Sequence, residues 1–188
     1  MISNMPVKPS IFKFTSYSAN LTMRELSFSY QIIFENTEPI TFTERLVLPA
    51  SPAGGPKGID KNVPAKLLDN IMQGLHLILG ISYYKLYVPP KFKLPYKLSK
   101  GQAEFWNTVY RKGLGEFLYR NQLDPKQLAQ FEPTAGENVT AVEFARQNRV
   151  LSAIGGGKDS IVSTELLKEG QFKITTLYTQ TQKPNEQV

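Results

Sequence analysis

The sequence predicts an α+β N-terminal domain over residues 1–145, a β-hairpin or small antiparallel sheet plus helices, followed over residues 146–188 by the first β-α-β unit of an α/β domain. Three observations carry this expectation. Apolar and polar residues alternate from Leu26 to Phe34, which marks a strand with one buried face. Apolar residues recur at helical spacing from Leu67 to Leu79. Finally, strand, three glycines, helix and strand follow one another between Asn148 and Tyr178, and that order is the opening unit of a parallel sheet.

Composition bounds what such a chain can do. Its 188 residues are 41% hydrophobic and 11% aromatic, enough for a packed core. The absence of cysteine excludes a disulfide framework, a thiolate nucleophile and a cysteine-based zinc site, and one histidine excludes a histidine metal cluster. No run approaches the roughly 18 apolar residues of a membrane span, and Met1 to Ser10 lacks an apolar signal core, so no membrane and a cytoplasmic location are expected. The net charge of +6 comes from 22 basic and 16 acidic residues spread along the chain rather than gathered in one stripe, and does not mark a nucleic-acid partner.

The β pattern begins at Ile11. Leu26, Phe28, Tyr30, Ile32 and Phe34 form the apolar face of one strand, Glu35 to Pro39 turns, and Ile40, Phe42, Leu46 and Leu48 continue as its hairpin partner. Pro49 to Asp60, rich in proline and glycine, is expected to be a surface loop. Asn62 offers a cap to the helix whose stripe runs through Gly80, and the single histidine, His76, beside that stripe reads as a packing residue. From Ile81 to Tyr96 aromatics interleave with Lys85, Lys91, Lys93 and Lys97: either tyrosines packed on a core with lysines in water, or a groove for an anionic substrate. Ser99 and Gln102 have capping-box spacing, and Phe105, Trp106, Val109, Tyr110, Phe117 and Leu118 mark the apolar face of the helix they open. Leu123 to Glu143, with Pro125, Pro133 and Gly136, reads as a linker carrying a short helix.

The chemistry lies in Ile154-Gly155-Gly156-Gly157-Lys158-Asp159-Ser160. A strand from Asn148 to Ile154 leads in, and a helix from Asp159 to Glu169 leads out, stopped at Gly170 where a left-handed residue is cheap for glycine. Successive glycines let backbone N–H groups converge, the helix N-terminus adds roughly half a positive charge, and a lysine adds a full one. Such a point attracts phosphate. A Walker loop fails twice, since Ser152 stands where its first glycine belongs and Asp159 follows the lysine. A Gly-x-Gly-x-x-Gly fingerprint fails as well, because it would require glycine at Lys158 or Asp159.

The loop resembles the pyrophosphatase (PP-loop) motif Ser-Gly-Gly-x-Asp-Ser of the adenine nucleotide alpha-hydrolase-like enzymes. Gly156, Gly157, Asp159 and Ser160 match, and Gly155 replaces the leading serine. Together with HLILGISYYKLYVPP over 76–90 and GLGEFLYRNQLD ending at Asp124, it makes nearly the whole chain similar to the ATP-dependent UDP-N-acetylmuramoyl-L-alanyl-L-glutamate epimerases. That resemblance implies ATP and Mg2+ as cofactors and a UDP-linked muramoyl dipeptide as substrate. The terminal L-Glu would be activated as an acyl-adenylate, with pyrophosphate and then AMP released. It implies roles for Gly155, Gly156 and Gly157 in cradling phosphates and for Lys158 in neutralising them; Ser160 would donate to an oxygen, and Asp159 would either cap the helix or help hold magnesium. It also implies that residues 146–188 begin a PP-loop ATP-binding domain that a longer chain completes. Two other readings are a PP-loop tRNA-modifying enzyme and a non-catalytic nucleotide-binding or scaffold domain; the lack of cysteine argues against persulfide-carrying thiolation.

Overall fold

The structure is a computed structural model and describes residues 8–48, 63–137, 141–145 and 148–178. The Pro49–Asp60 loop, Asn62 and the tail beyond Tyr178 lie outside the described residues. The chain divides into two compact units, one reaching to Val142 and the other starting at Glu143.

The first unit is an α+β fold on a four-stranded sheet of order β3-β2-β1-β4. Its strands are β1 (Pro9–Asn20), β2 (Glu25–Phe34), β3 (Ile40–Val47) and β4 (Phe92–Lys93); its helices are α1 (Ala65–Tyr84), α2 (Lys100–Gly113) and α3 (Gly115–Arg120). The expected hairpin is β2 with β3, antiparallel from Glu25↔Val47 to Ile32↔Ile40. Beyond it, β1 pairs antiparallel along the other edge of β2, and β4 joins β1 in parallel, so the sheet is mixed rather than purely antiparallel.

The alternation on β2 sets the core: Leu26, Phe28, Tyr30, Ile32 and Phe34 are all buried. Full burial of an aliphatic or phenyl side chain contributes about 1.5–3 kcal/mol, so this face drives collapse against α1. On β1 the pattern breaks. Phe14 pairs with Tyr30 and Tyr17 with Phe28, leaving one more residue between the partners on β1 than on β2. This bulge at Thr15 turns Tyr17, rather than Ser16, towards the core side. The Tyr17 hydroxyl donates to Asp69 Oδ1 on α1 at 2.5 Å, and burial together with that carboxylate pushes its pKa up to about 12.

Helix α1 buries Met72, His76, Leu77, Gly80 and Tyr84, a stripe of helical period. The expected end at Gly80 is corrected: the helix runs four residues further. Gly80 does not stop it but lets it approach the sheet, since a Cβ there would lie 2.6 Å from Phe14 Cε1 and 3.0 Å from Tyr30 Cε1. Tyr83 and Tyr84 are therefore helical. Tyr83 stacks on Tyr30 and donates to Glu44 Oε2 at 2.6 Å, while Lys91, Lys93 and Lys97 are exposed.

His76 is the packing residue expected, fully buried, with Nε2 donating to the Ser29 carbonyl at 3.1 Å. Burial lowers its pKa from the ordinary 6.5, partly opposed by that hydrogen bond. The unfolded chain therefore takes up a proton that the folded chain resists, so stability is complete above about pH 6.5 and declines as pH falls below it. Denaturation midpoints measured between pH 7.5 and 5 are expected to fall towards acid in the wild type. His76→Gln is expected to flatten that dependence, because the chain has no second histidine.

The capping box of α2 forms in both directions, Gln102 N–H to Ser99 Oγ at 3.3 Å and Ser99 N–H to Gln102 Oε1 at 2.9 Å. The single helix expected from there to Leu118 is instead broken at Leu114 (φ −92, ψ 7), between Gly113 and Gly115, both poor helix formers. Phe105, placed on the apolar face by its spacing, is 59% exposed; Ala103, Tyr110, Leu114 and Leu118 turn inward.

The linker expected from Leu123 is corrected most. After a 3-10 turn at Pro125–Gln127, Leu128, Ala129 and Phe131 are buried as a strap across the core. Side chains from distant helices hold it. Ala129 N–H donates to Tyr84 Oη at 3.0 Å, Phe131 N–H donates to Asn107 Oδ1 at 2.7 Å, and Asn107 Nδ2 donates to the Phe131 carbonyl at 3.0 Å. Phe131 also stacks on Phe92, with ring centroids 4.2 Å apart.

The second unit is a β-α-β unit as expected: β5 (Arg149–Ala153), α4 (Lys158–Glu169) and β6 (Lys173–Leu177). The strands are parallel from Arg149↔Lys173 to Ala153↔Leu177. Gly170, expected to be left-handed, has φ −72, and the left-handed residue is Gln171 at φ 56. A Cβ at Gly170 would lie 2.9 Å from the ring of Phe172, which is 41% exposed and would have to turn aside. Leu151, Ile161, Val162, Leu166 and Leu177 of this unit remain exposed.

Candidate functional site

The candidate site is the turn from β5 into α4. The ladder runs one step past β5, Ile154 N–H donating to the Leu177 carbonyl at 2.8 Å, and then the backbone leaves the sheet. Of the three glycines, Gly156 alone has a positive φ, +81, and this places the chain's reversal at the one residue where a side chain would be strained. Gly157 is the N-cap residue, with extended φ −87 and ψ 164, and the helix opens at Lys158. The Gly157 carbonyl collects local donors: Ser160 N–H at 3.2 Å, Ile161 N–H at 3.4 Å and Ser160 Oγ at 2.7 Å.

None of the N–H groups from Gly155 to Asp159 donates to a backbone carbonyl among the described residues. These five donors lie in an exposed stretch at the positive end of a twelve-residue helix. Lys158 and Asp159 occupy the first turn, both exposed, and Lys158 forms no ion pair among the described residues. No side chain caps the helix, so Asp159 is a first-turn carboxylate and not a cap. The Ser160 hydroxyl is turned back on the backbone rather than outward. The structure thus gathers Gly155, Gly156, Gly157, Lys158, Asp159 and Ser160 into one turn suited to an anion.

A second concave feature lies in the first unit: a cavity of about 610 Å³ between residues 90–98 and the strap at 128–134. Half of its wall comes from the Lys/Tyr segment, through Lys91, Phe92 and Tyr96, and half from the stretch expected to be a linker, through Gln130, Phe131 and Glu132. Sequence reasoning missed this second half, since the hydrogen bonds of Tyr84 and Asn107 that set it span 45 and 24 residues. Among the described residues no group of three or more acidic, histidine or cysteine side chains is arranged to hold a metal ion, and no helix is long and apolar enough to cross a membrane.

Comparison with known proteins extends this description. The family model described as "MurL N-terminal domain" matches residues 4–188. A protein of Micromonospora sp. named UDP-N-acetyl-alpha-D-muramoyl-L-alanyl-L-glutamate epimerase is 39% identical over 158 residues, covering 84% of this chain and 34% of the relative. A protein of the same name from Salinispora tropica is 39% identical over 158 residues, 84% of this chain and 33% of its own length. A third so named, from Xanthomonas oryzae pv. oryzae, is 40% identical over 105 residues, 55% of this chain and 23% of the relative. No solved structure matches the chain. The chain spans about a third of the length of the first two curated relatives. With the family model matching almost from end to end, the chain belongs to the MurL N-terminal domain family.

Proposed function

We propose that this chain is the N-terminal portion of an ATP-dependent epimerase that inverts the terminal L-Glu of UDP-N-acetylmuramoyl-L-Ala-L-Glu to D-Glu, a step in peptidoglycan precursor synthesis. The family and the names of the relatives support the reaction. The observation that supports a nucleotide is the turn at Gly155–Asp159, whose amides lack backbone partners among the described residues beside Lys158 and a helix N-terminus.

The donor set fits a polyphosphate. The N–H groups of Gly155, Gly156 and Gly157 would hold the β and γ phosphates, and Lys158 would balance their charge. Ser160 would have to rotate its hydroxyl away from the Gly157 carbonyl to reach a phosphate oxygen. Asp159 is the turn's single carboxylate, which fits magnesium held mainly by phosphates and water. In the proposed chemistry the glutamate carboxylate attacks the α phosphorus and pyrophosphate leaves. The resulting acyl-adenylate no longer places a full negative charge beside a developing enolate, so the α proton becomes removable. Reprotonation on the opposite face inverts the centre, and water then releases AMP and the D-Glu product.

The test is to incubate the full-length protein with ATP, magnesium and the L-Glu substrate and to follow AMP together with glutamate configuration. AMP and inverted glutamate appearing together are expected. AMP formed only on adding tRNA would overturn the proposal in favour of a tRNA-modifying enzyme. Lys158→Ala is expected to weaken ATP binding by about tenfold, the loss of one charge-assisted contact, as read by calorimetry; unchanged affinity would remove the phosphate assignment.

A further inference from the structure

We infer that the cavity between residues 90–98 and 128–134 receives the nucleoside-diphosphate end of the substrate, apart from the turn assigned to ATP. The inference rests on the substrate proposed above. Its volume of about 610 Å³ falls within the range of small-molecule sites. The wall supplies four kinds of chemistry in one place. Half-buried Phe92 and Tyr96 offer an aromatic lining for a base, Phe92 being backed by its stack on the buried Phe131. Exposed Gln130 carries a side-chain amide whose Nε2 donates to the Leu128 carbonyl at 3.3 Å, which leaves its oxygen and second N–H for the base edge. Lys91, exposed and in no ion pair among the described residues, supplies positive charge for a diphosphate. Glu132, exposed opposite, is an acceptor for the paired hydroxyls of a ribose, the role a carboxylate plays in dinucleotide sites.

The walls are also held in place. Phe131 is fixed by two hydrogen bonds to Asn107, Ala129 by Tyr84, and Thr134 N–H donates to the Leu98 carbonyl at 2.8 Å, tying the strap to the facing segment. A preformed site of this kind spends little ordering entropy on its ligand.

The experiment is calorimetric titration of the full-length protein with UDP, with 2′-deoxy-UDP and separately with ATP. Saturable UDP binding is expected, weakened about tenfold by Lys91→Ala, and left unchanged by Lys97→Ala in the same segment and by Lys158→Ala. A preference for UDP over 2′-deoxy-UDP that Glu132→Ala abolishes is also expected. Absence of UDP binding at millimolar concentration, or binding that Lys158→Ala rather than Lys91→Ala weakens, would overturn the inference. ATP binding without UDP binding sinks this cavity's assignment and leaves the ATP turn intact; UDP binding sensitive to Lys91 without ATP binding supports the cavity and sinks the turn.

Discussion

Gly80→Ala is expected to destabilise the first unit by about 1–2 kcal/mol net, although glycine to alanine inside a helix ordinarily gains close to 1 kcal/mol. The added methyl would lie 2.6 Å from Phe14 Cε1 and 3.0 Å from Tyr30 Cε1. Neither ring has room to retreat. Both are buried, and Phe14 is packed against Phe12, His76, Phe92 and Phe131. Either α1 lifts off the sheet or the aromatic layer leaves its rotamers, and both outcomes cost packing. Gly74→Ala on the same helix is the control, because nothing lies within 4 Å of its new methyl. It is expected to stabilise by up to about 1 kcal/mol. Chemical denaturation of the pair checks the claim, and equal shifts of the same sign would show that α1 does not approach the sheet at Gly80 as closely as described.

Asn107→Ala is expected to cost about 2–4 kcal/mol, more than any single surface ion pair here could supply. Its side chain meets both the N–H and the carbonyl of Phe131, imitating a paired strand, and Phe131 is 2% exposed. Removing it leaves a donor and an acceptor unpaired where water has poor access. Asn107→Asp separates the two bonds: the acceptor for Phe131 N–H survives, while the donor to the carbonyl becomes a repelling oxygen. It is expected to lie at or beyond the alanine variant in lost stability. Hydrogen exchange at the Phe131 amide gives a local reading, with protection lost in the alanine variant.

What could be read in the sequence was local. The β2–β3 hairpin follows from alternation and a turn, the Ser99–Gln102 box from spacing, and the β5–α4–β6 order from a strand and a helix flanking glycines. What could not be read depends on partners far along the chain. Gly80 looks like a stop until Phe14 and Tyr30 stand behind it. Leu128–Phe131 looks like a linker, flanked by Pro125 and Pro133, until Tyr84 and Asn107 take up its backbone groups. The two-residue pairing of β4 with β1 is too short to leave a periodic signal. At the candidate site, the succession of strand, glycine turn and helix follows from the order of residue types, whereas the positive φ at Gly156 and a helix that opens at Lys158, one residue before the expected Asp159, do not. Nor does the inward rotation of the Ser160 hydroxyl, a choice among rotamers that the folded turn makes.

The bare apolar sides of the β5–α4–β6 unit bear on how any affinity measured at the glycine turn should be understood. One helix on two parallel strands supplies a thin lever arm for five amides, and parallel sheets ordinarily gain rigidity from layers on both sides. Whatever neighbour shields Leu151 and Leu177 would stiffen the hinge from behind and raise the fraction of time its amides converge. Any anion affinity there would in this sense be on loan from parts of the protein that never touch the anion.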